Sequence, residues 1–304
     1  MPRIRIGTRG SPLALAQARE ARERLIAAHG LDPADIEIVA ITTTGDRIKD
    51  RPLNEIGGKG LFTKEIEDAL LADEIQLAVH SMKDLPANLP DGLTIAAVLS
   101  REDPRDAFIS PVANSVAELK TGATIGSSSV RRTAQVLRLR PDLKTMQFRG
   151  NVETRLHKLS EGIADATFLA CAGLNRLGFA DRITAVIPVE VMLPAIAQGA
   201  IGIEIRESDA ATRELLVAIN HRESQIAVTC ERAFLKALDG SCRSPLAGLA
   251  TLKGNTLSFR GHALTPDGVH CFETTRLGSA SDAAVMGEEA GLEVKARGGA
   301  LIAF

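Results

Sequence analysis

The sequence predicts an α/β protein with mainly parallel sheets, followed by a smaller α+β region at the carboxyl end. Three observations carry this. Over the first two-thirds, short β-rich runs alternate with amphipathic segments of helical length, the rhythm of βαβ units. That rhythm stops at Arg101-Glu102-Asp103-Pro104-Arg105-Asp106, a charged, Pro-containing break, and then restarts. From about Arg222 the pattern changes to one helix, three runs resembling antiparallel strands, and a closing helix. A chain of 304 residues suits two or three domains at roughly 100–200 residues each.

Arg3 to Gly7 reads as the first strand. Ser11-Pro12 then supplies a hydroxyl N-cap and a proline at the first helical position, and Gly30 closes the helix. Ile36 to Thr43 is the next strand. Gly57, Gly58 and Gly60 form a loop leading into a helix from about Leu61 to Leu71. Ile75 to His80 is an apolar strand ending in Ser81-Met82-Lys83-Asp84-Leu85-Pro86. Beyond the charged break, strands are expected at 123–126, 143–148 and 166–170, with helices at 130–139 and 152–159. Pro188, Pro194 and Gly199 precede another apolar strand, Ala200 to Ile205, and the last helix before the β-rich end runs to about Leu238.

Composition excludes several functions. The formal charge is −2, whereas a general nucleic-acid binder is basic as a domain. Aromatic residues are 3% of the chain, with no Trp or Tyr, which leaves little to stack single-stranded bases on. No apolar run reaches membrane-spanning length, and none of signal-peptide length follows Met1-Pro2-Arg3, so a cytoplasmic location is expected. Cys171, Cys230, Cys242 and Cys271 form no CxxC pair and no zinc-type spacing, so free thiols and no metal centre are expected.

The basic residues are 26 Arg and 10 Lys. Codon usage explains such an excess as readily as function does, so placement must decide. Between Ser127 and Leu159, eight basic residues face two acidic ones, a local excess of six. Gly126-Ser127-Ser128-Ser129 follows a strand and opens the helix bearing Arg131 and Arg132, and helix amino ends bind anions through free N–H groups. Arg149-Gly150-Asn151 repeats the arrangement, with Arg155 one turn into its helix. Arg138 and Arg140 read as solvated. Thr8-Arg9-Gly10-Ser11-Pro12 is a third turn of the kind. Gly57-Gly58-Lys59-Gly60 lacks the Ser or Thr that a phosphate loop places after its lysine, so it reads as a mobile loop or lid. Lys83-Asp84 is either a turn before Pro86 or a carboxylate poised at a strand end for proton transfer. His80 reads as packed against the sheet. Cys242, in Asp239-Gly240-Ser241-Cys242-Arg243-Ser244-Pro245, is the one cysteine in a polar loop, where Arg243 favours thiolate.

Together, RIGTRGSPLALAQA, GGKGLFTKEIEDALL, AVHSMKDLP, REDPRDAFIS, GSSSVRR, FRGNVETRL, AGLNRLG, LPAIAQGAIGIE and LDGSCRSPLAG resemble the porphobilinogen deaminase (hydroxymethylbilane synthase) family over nearly the whole chain. The resemblance implies two domains like those of periplasmic binding proteins around a cleft, and a third carrying a cysteine loop. The expected bounds are 1–100 with 199–220, then 101–198, then 221–304. It implies a monomeric transferase of haem and tetrapyrrole synthesis. Such an enzyme condenses porphobilinogen head to tail with loss of ammonia, on a dipyrromethane cofactor held by a thioether, here at Cys242. It implies that Asp84 is the catalytic carboxylate, stabilising the electron-poor azafulvene left when ammonia departs. Arg9, Ser11, Lys83, Ser128, Ser129, Arg131, Arg132, Arg149, Arg155 and Arg176 fall at cofactor- and substrate-binding positions, and Lys59 in a flexible loop. No nucleic-acid or membrane partner is implied. Two departures stand out: Arg243 where a neutral residue is expected, and Cys171 where a small one is. The alternative is a non-enzymatic two-lobed binding protein for an anionic metabolite, which has no use for a loop cysteine.

Overall fold

The computed structural model describes residues 4–47, 62–241 and 244–302. The expectations for Lys59, Cys242 and Arg243 lie outside these residues. In chain order the first elements are β1 (Ile4–Arg9), α1 (Pro12–His29), β2 (Ile36–Ile41), α2 (Thr44–Arg47), α3 (Lys64–Leu71), β3 (Leu77–Ser81) and β4 (Leu93–Val98). There follow β5 (Asp106–Ile109), β6 (Thr124–Gly126), α4 (Val130–Leu139), β7 (Lys144–Met146), α5 (Val152–Ser160), β8 (Ala166–Ala170), α6 (Cys171–Arg176) and β9 (Ala185–Val186). The last are β10 (Ile201–Arg206), α7 (Ala210–Val217), α8 (Arg222–Ala237), β11 (Leu246–Lys253), β12 (Thr256–Leu264), β13 (Cys271–Ser279) and α9 (Ala283–Gly298).

The chain divides into two compact units, Met1–Arg101 with Ala200–Gln225, and Glu102–Gly199 with Ile226–Phe304. In the first, the sheet order is β2-β1-β3-β10-β4. β1 pairs in parallel with β2 and β3, while β10 is antiparallel to both β3 and β4, so four strands share one direction. α1 covers one face over Ile6, Leu77, Val79 and Ile203, and α3 covers the other through Ile66 and Leu70 against Ala78. α1 begins as its sequence predicts: Ser11 Oγ accepts from the Ala14 N–H (3.2 Å). It ends at Gly30, whose φ of 62° is left-handed and suits glycine.

The second unit repeats the pattern as β7-β6-β8-β5-β9, again with one strand, β5, reversed. Phe148, Leu156 and Leu174 pack one face, and Phe108, Ile125, Val136 and Phe168 the other. The same unit holds the predicted α+β end, an antiparallel sheet β11-β12-β13. Phe234 of α8 packs on Phe259 of this sheet at 5.1 Å. Gly287 and Gly291 let α9 approach α8 closely, since a Cβ at either would strike backbone or side-chain atoms of that helix.

Three strands were not expected from the sequence, β4, β5 and the two-residue β9. β4 follows the Asp84 turn, and β5 begins inside the charged break, because the apolar Ala107-Phe108-Ile109 pairs with β8 and β9. The Pro-containing charge run thus spans the division between the two units, which falls at Arg101 and Glu102, and also leads into a strand.

Candidate active site

In the first unit, Arg9, Ser11, Leu13, Gln17, Phe62, Thr63, His80, Ser81 and Asp84 line one pocket at the carboxyl ends of β1 and β3. Each side chain has a local reason to be there. β1 runs through Arg9, so its guanidinium emerges where the strand gives way to α1, and it lies 4.2 Å from the Phe62 ring centroid. Thr8 is wholly buried and its hydroxyl bonds Val79 O (3.2 Å), tying β1 to β3. Gln17 and Ser81 exchange hydrogen bonds: Gln17 Nε2 donates to Ser81 Oγ (2.8 Å), and Ser81 Oγ donates to Gln17 Oε1 (3.1 Å).

Asp84 closes a single 3₁₀ turn, Met82–Asp84, at the end of β3. The Met82 side chain is buried and its N–H donates to Ala200 O (3.0 Å), which pins the turn to the start of β10. Asp84 is left exposed at the pocket, with half-exposed Lys83 beside it. Behind the pocket wall His80 Nε2 lies 3.0 Å from Glu204 Oε2, both buried. Burial, reinforced by Glu204, pushes the nearby Glu67 carboxyl above the usual range, against a hydrogen bond from Thr63. His80 is buried in the sheet as the sequence suggests, with the Glu204 carboxylate beside it.

In the second unit two arginine-bearing turns, one capped by serine and one by asparagine, follow β6 and β7. Ser129 caps α4, its Oγ accepting from the Arg132 N–H (3.4 Å), and Asn151 caps α5 through Oδ1 and the Thr154 N–H (2.8 Å). Ser128 Oγ accepts from the Phe148 N–H (3.0 Å) and joins the two turns. Arg131 and Arg132 are 3% and 6% exposed and converge on Asp106, which is fully buried. Arg131 Nη1 is 2.8 Å from Asp106 Oδ2, and Arg132 Nη2 donates to Asp106 Oδ1 (2.7 Å). Arg132 Nη1 also donates to Phe168 O (2.9 Å) and Arg131 Nη1 to Leu193 O (2.8 Å). Burial alone would raise the Asp106 carboxyl, but the two guanidiniums outweigh it and hold that carboxyl far below the usual range.

Arg155 Nε donates to Gly150 O (2.9 Å). Burial, with Arg132 and Arg149 close by, brings its guanidinium down to about 10, so three cations crowd this corner. Arg176, at the end of α6, donates through both Nη atoms to Gly199 O (3.2 Å). Arg140 is not simply solvated as expected: it bonds Asp142 and the carbonyls of Val116, Ala117 and Leu119, clamping the loop before β6. Burial pushes the thiols of Cys171 and Cys230 up to about 12, which makes both inert at neutral pH.

Sequence reasoning missed Asp106, Phe62 and Gln17. Asp106 sat in plain view within an acidic-basic run, and its signal was the apolar Ala107-Phe108-Ile109 that follows, which makes it the first residue of a buried strand.

Two family models match the chain: the porphobilinogen deaminase dipyromethane cofactor binding domain over residues 4–214, and the porphobilinogen deaminase C-terminal domain over residues 225–296. A protein named porphobilinogen deaminase from Paracoccus denitrificans is 58% identical over 294 residues, covering 97% of this chain and 94% of the relative. One of the same name from Nitrobacter winogradskyi is 54% identical, covering 97% and 93%. Among solved structures, a putative methionine-binding lipoprotein of Bacillus subtilis matches with a TM-score of 0.44 at 16% identity, over 72% of this chain and 90% of that one. A periplasmic substrate-binding protein of an ABC transporter from Coxiella burnetii matches with a TM-score of 0.45 at 15% identity, over 71% and 91%.

Proposed function

Because the chain belongs to the porphobilinogen deaminase family, we propose that Asp84 is its catalytic carboxylate and that Cys242 carries its cofactor. The enzyme condenses porphobilinogen molecules head to tail, with release of ammonia, into the linear tetrapyrrole hydroxymethylbilane. It does so on a covalent dipyrromethane, which when bound supplies the pyrrole terminus from which the chain grows. The observation that carries the catalytic assignment is the position of Asp84, exposed at a pocket that also holds Arg9 and Ser11.

Every porphobilinogen unit bears an acetate and a propionate, so the ligand is a polycarboxylate. The donors present fit it: guanidiniums, serine hydroxyls and the amino ends of α4 and α5. Arg9 and Ser11 would hold substrate acid groups, with Lys83 beside the turn. Ser128, Ser129, Arg131, Arg132, Arg149, Arg155 and Arg176 would hold those of the cofactor and growing chain. Arg131 and Arg132 do so from fixed positions, since Asp106 locks both guanidiniums before any ligand arrives. Asp84 then has two tasks at its carboxylate oxygens. It stabilises the positive charge that develops on substrate as ammonia leaves, and it takes or returns a pyrrole N–H proton. Lys59 falls at the family's flexible-loop position in this reading.

Three domains, at 1–100 with 199–220, 101–198 and 221–304, a monomeric state and a cytoplasmic location complete the proposal. No described helix is long and apolar enough to cross a membrane. Intact-mass measurement tests the cofactor assignment. Protein isolated from cells should exceed the mass of its sequence by one dipyrromethane, and Cys242→Ser should remove the excess. An excess retained in that variant would place the cofactor elsewhere. Failure of the wild-type protein to release ammonia from porphobilinogen would favour a two-lobed receptor instead.

A further inference from the structure

Among the described residues outside the pocket and the arginine turns, a cluster of side chains combines ligand chemistry with an unmet bonding need. His262 on β12 stands directly opposite Glu273 on β13, and Cys271 lies two residues before Glu273 on the same face of that strand. The ligating atoms of His262, Cys271 and Glu273 all lie within 4.8 Å of one another. His262 is 6% exposed, yet neither of its ring nitrogens has a hydrogen-bond partner. A buried imidazole without partners is costly, and in native folds such groups are satisfied by protein, water or an ion.

We propose that His262, Cys271 and Glu273 form a binding site for a borderline-soft divalent cation of the zinc class. Nitrogen, sulfur and carboxylate oxygen are the donors such an ion prefers, and three protein ligands leave a fourth position for water. Metal–ligand bonds of about 2.0–2.3 Å at tetrahedral angles put two ligands about 3.3–3.8 Å apart, so the side chains must draw in by about 1 Å to close the cluster on an ion. Binding forms one bond each to nitrogen, sulfur and oxygen and releases the Cys271 thiol proton to solvent. The thiolate and Glu273 then balance the two positive charges of the ion.

The surroundings bear on affinity. Burial and the nearby Arg131, Arg260 and Arg138 hold the His262 imidazole down to about 3. The three guanidiniums oppose a cation and lower its affinity: Arg131 shares Asp106 with Arg132, and Arg260, 3.8 Å from Glu273, competes with the ion for that carboxylate. No spacing in the sequence announces the site, because antiparallel pairing of two strands, not a local motif, assembles it.

The test is titration of the holoenzyme with Zn²⁺, and with Co²⁺ as a spectroscopic probe, in wild type, Cys271→Ala and Glu273→Gln. Wild type should take up one ion at this site, release one proton, show thiolate-to-cobalt absorption and protect Cys271 from alkylation. Cys271→Ala should lose the absorption, and each variant should bind at least about tenfold more weakly. Glu273 is exposed, so its variant keeps the comparison sound if the cysteine variant folds poorly. Absence of uptake by wild type, as expected if water alone satisfies His262, overturns the proposal. So does affinity unchanged in Glu273→Gln with Cys271 still open to alkylation.

Discussion

Single residues do opposite jobs here with the same chemistry. Asp84 and Asp106 are both carboxylates near arginines, but Asp84 is exposed at a pocket, while Asp106 is sealed between Arg131 and Arg132. Asp84→Asn keeps the shape and removes the charge, so kcat should fall by about 10²-fold or more with KM changed little. Equal kcat in steady-state assays of the two proteins would remove Asp84 from the chemistry. Asp106→Asn should instead act on stability, costing about 3–5 kcal/mol at neutral pH because two buried guanidiniums lose their counter-charge. Its pH dependence has a definite sign. The folded carboxyl titrates below the unfolded one, so the stabilisation is present above about pH 4 and drains away as pH falls below that. Denaturant unfolding from pH 7 down to 3 should show this loss in wild type, and a shallower slope in Asp106→Asn.

At the scale of elements, the sites are held by close approach rather than by long loops. Gly202 on β10 pairs with His80 on β3, and a Cβ there would run into the sulfur of buried Met82. Met82 starts the turn that ends in Asp84, so Gly202→Ala should cost about 1–3 kcal/mol by overpacking. It should also lower kcat by displacing the turn, and melting curves together with kinetics would reveal both effects. A stable variant with full activity would show that the turn does not depend on this contact. Gly126 plays the matching part in the second unit, where a Cβ would meet the Phe148 ring at 2.6–2.9 Å, immediately before Arg149. Periodicity and capping residues made most elements legible: α4 and β8 begin and end where expected, and α1 carries its Ser11 and Gly30 caps. β5 was not legible, since its four residues are too short to show alternation and the charges before them resemble a linker.

For the whole molecule, a formal charge of −2 coexists with two arginine-bearing turns that gather cations in one unit. Such binding is partly screened by salt, because Arg149 and Arg155 are half-exposed. Raising ionic strength from about 0.01 to 0.15 M should therefore increase KM for porphobilinogen several-fold and leave kcat nearly unchanged. A KM independent of salt would mean that buried donors alone hold the acid groups. The fold class, the alternation of elements, the third turn at Arg9 and the family resemblance were all determined by the sequence by itself, since caps, periods and motifs are local. Which arginines an internal carboxylate fixes in place was not, because Asp106 meets Arg131 and Arg132 only when β5 enters the sheet between β8 and β9. The same holds for His80 on Glu204 and for His262 beside Cys271 and Glu273. Those contacts join residues from separate strands or helices, and only burial and strand register, which are properties of the folded chain, bring their charges and lone pairs together.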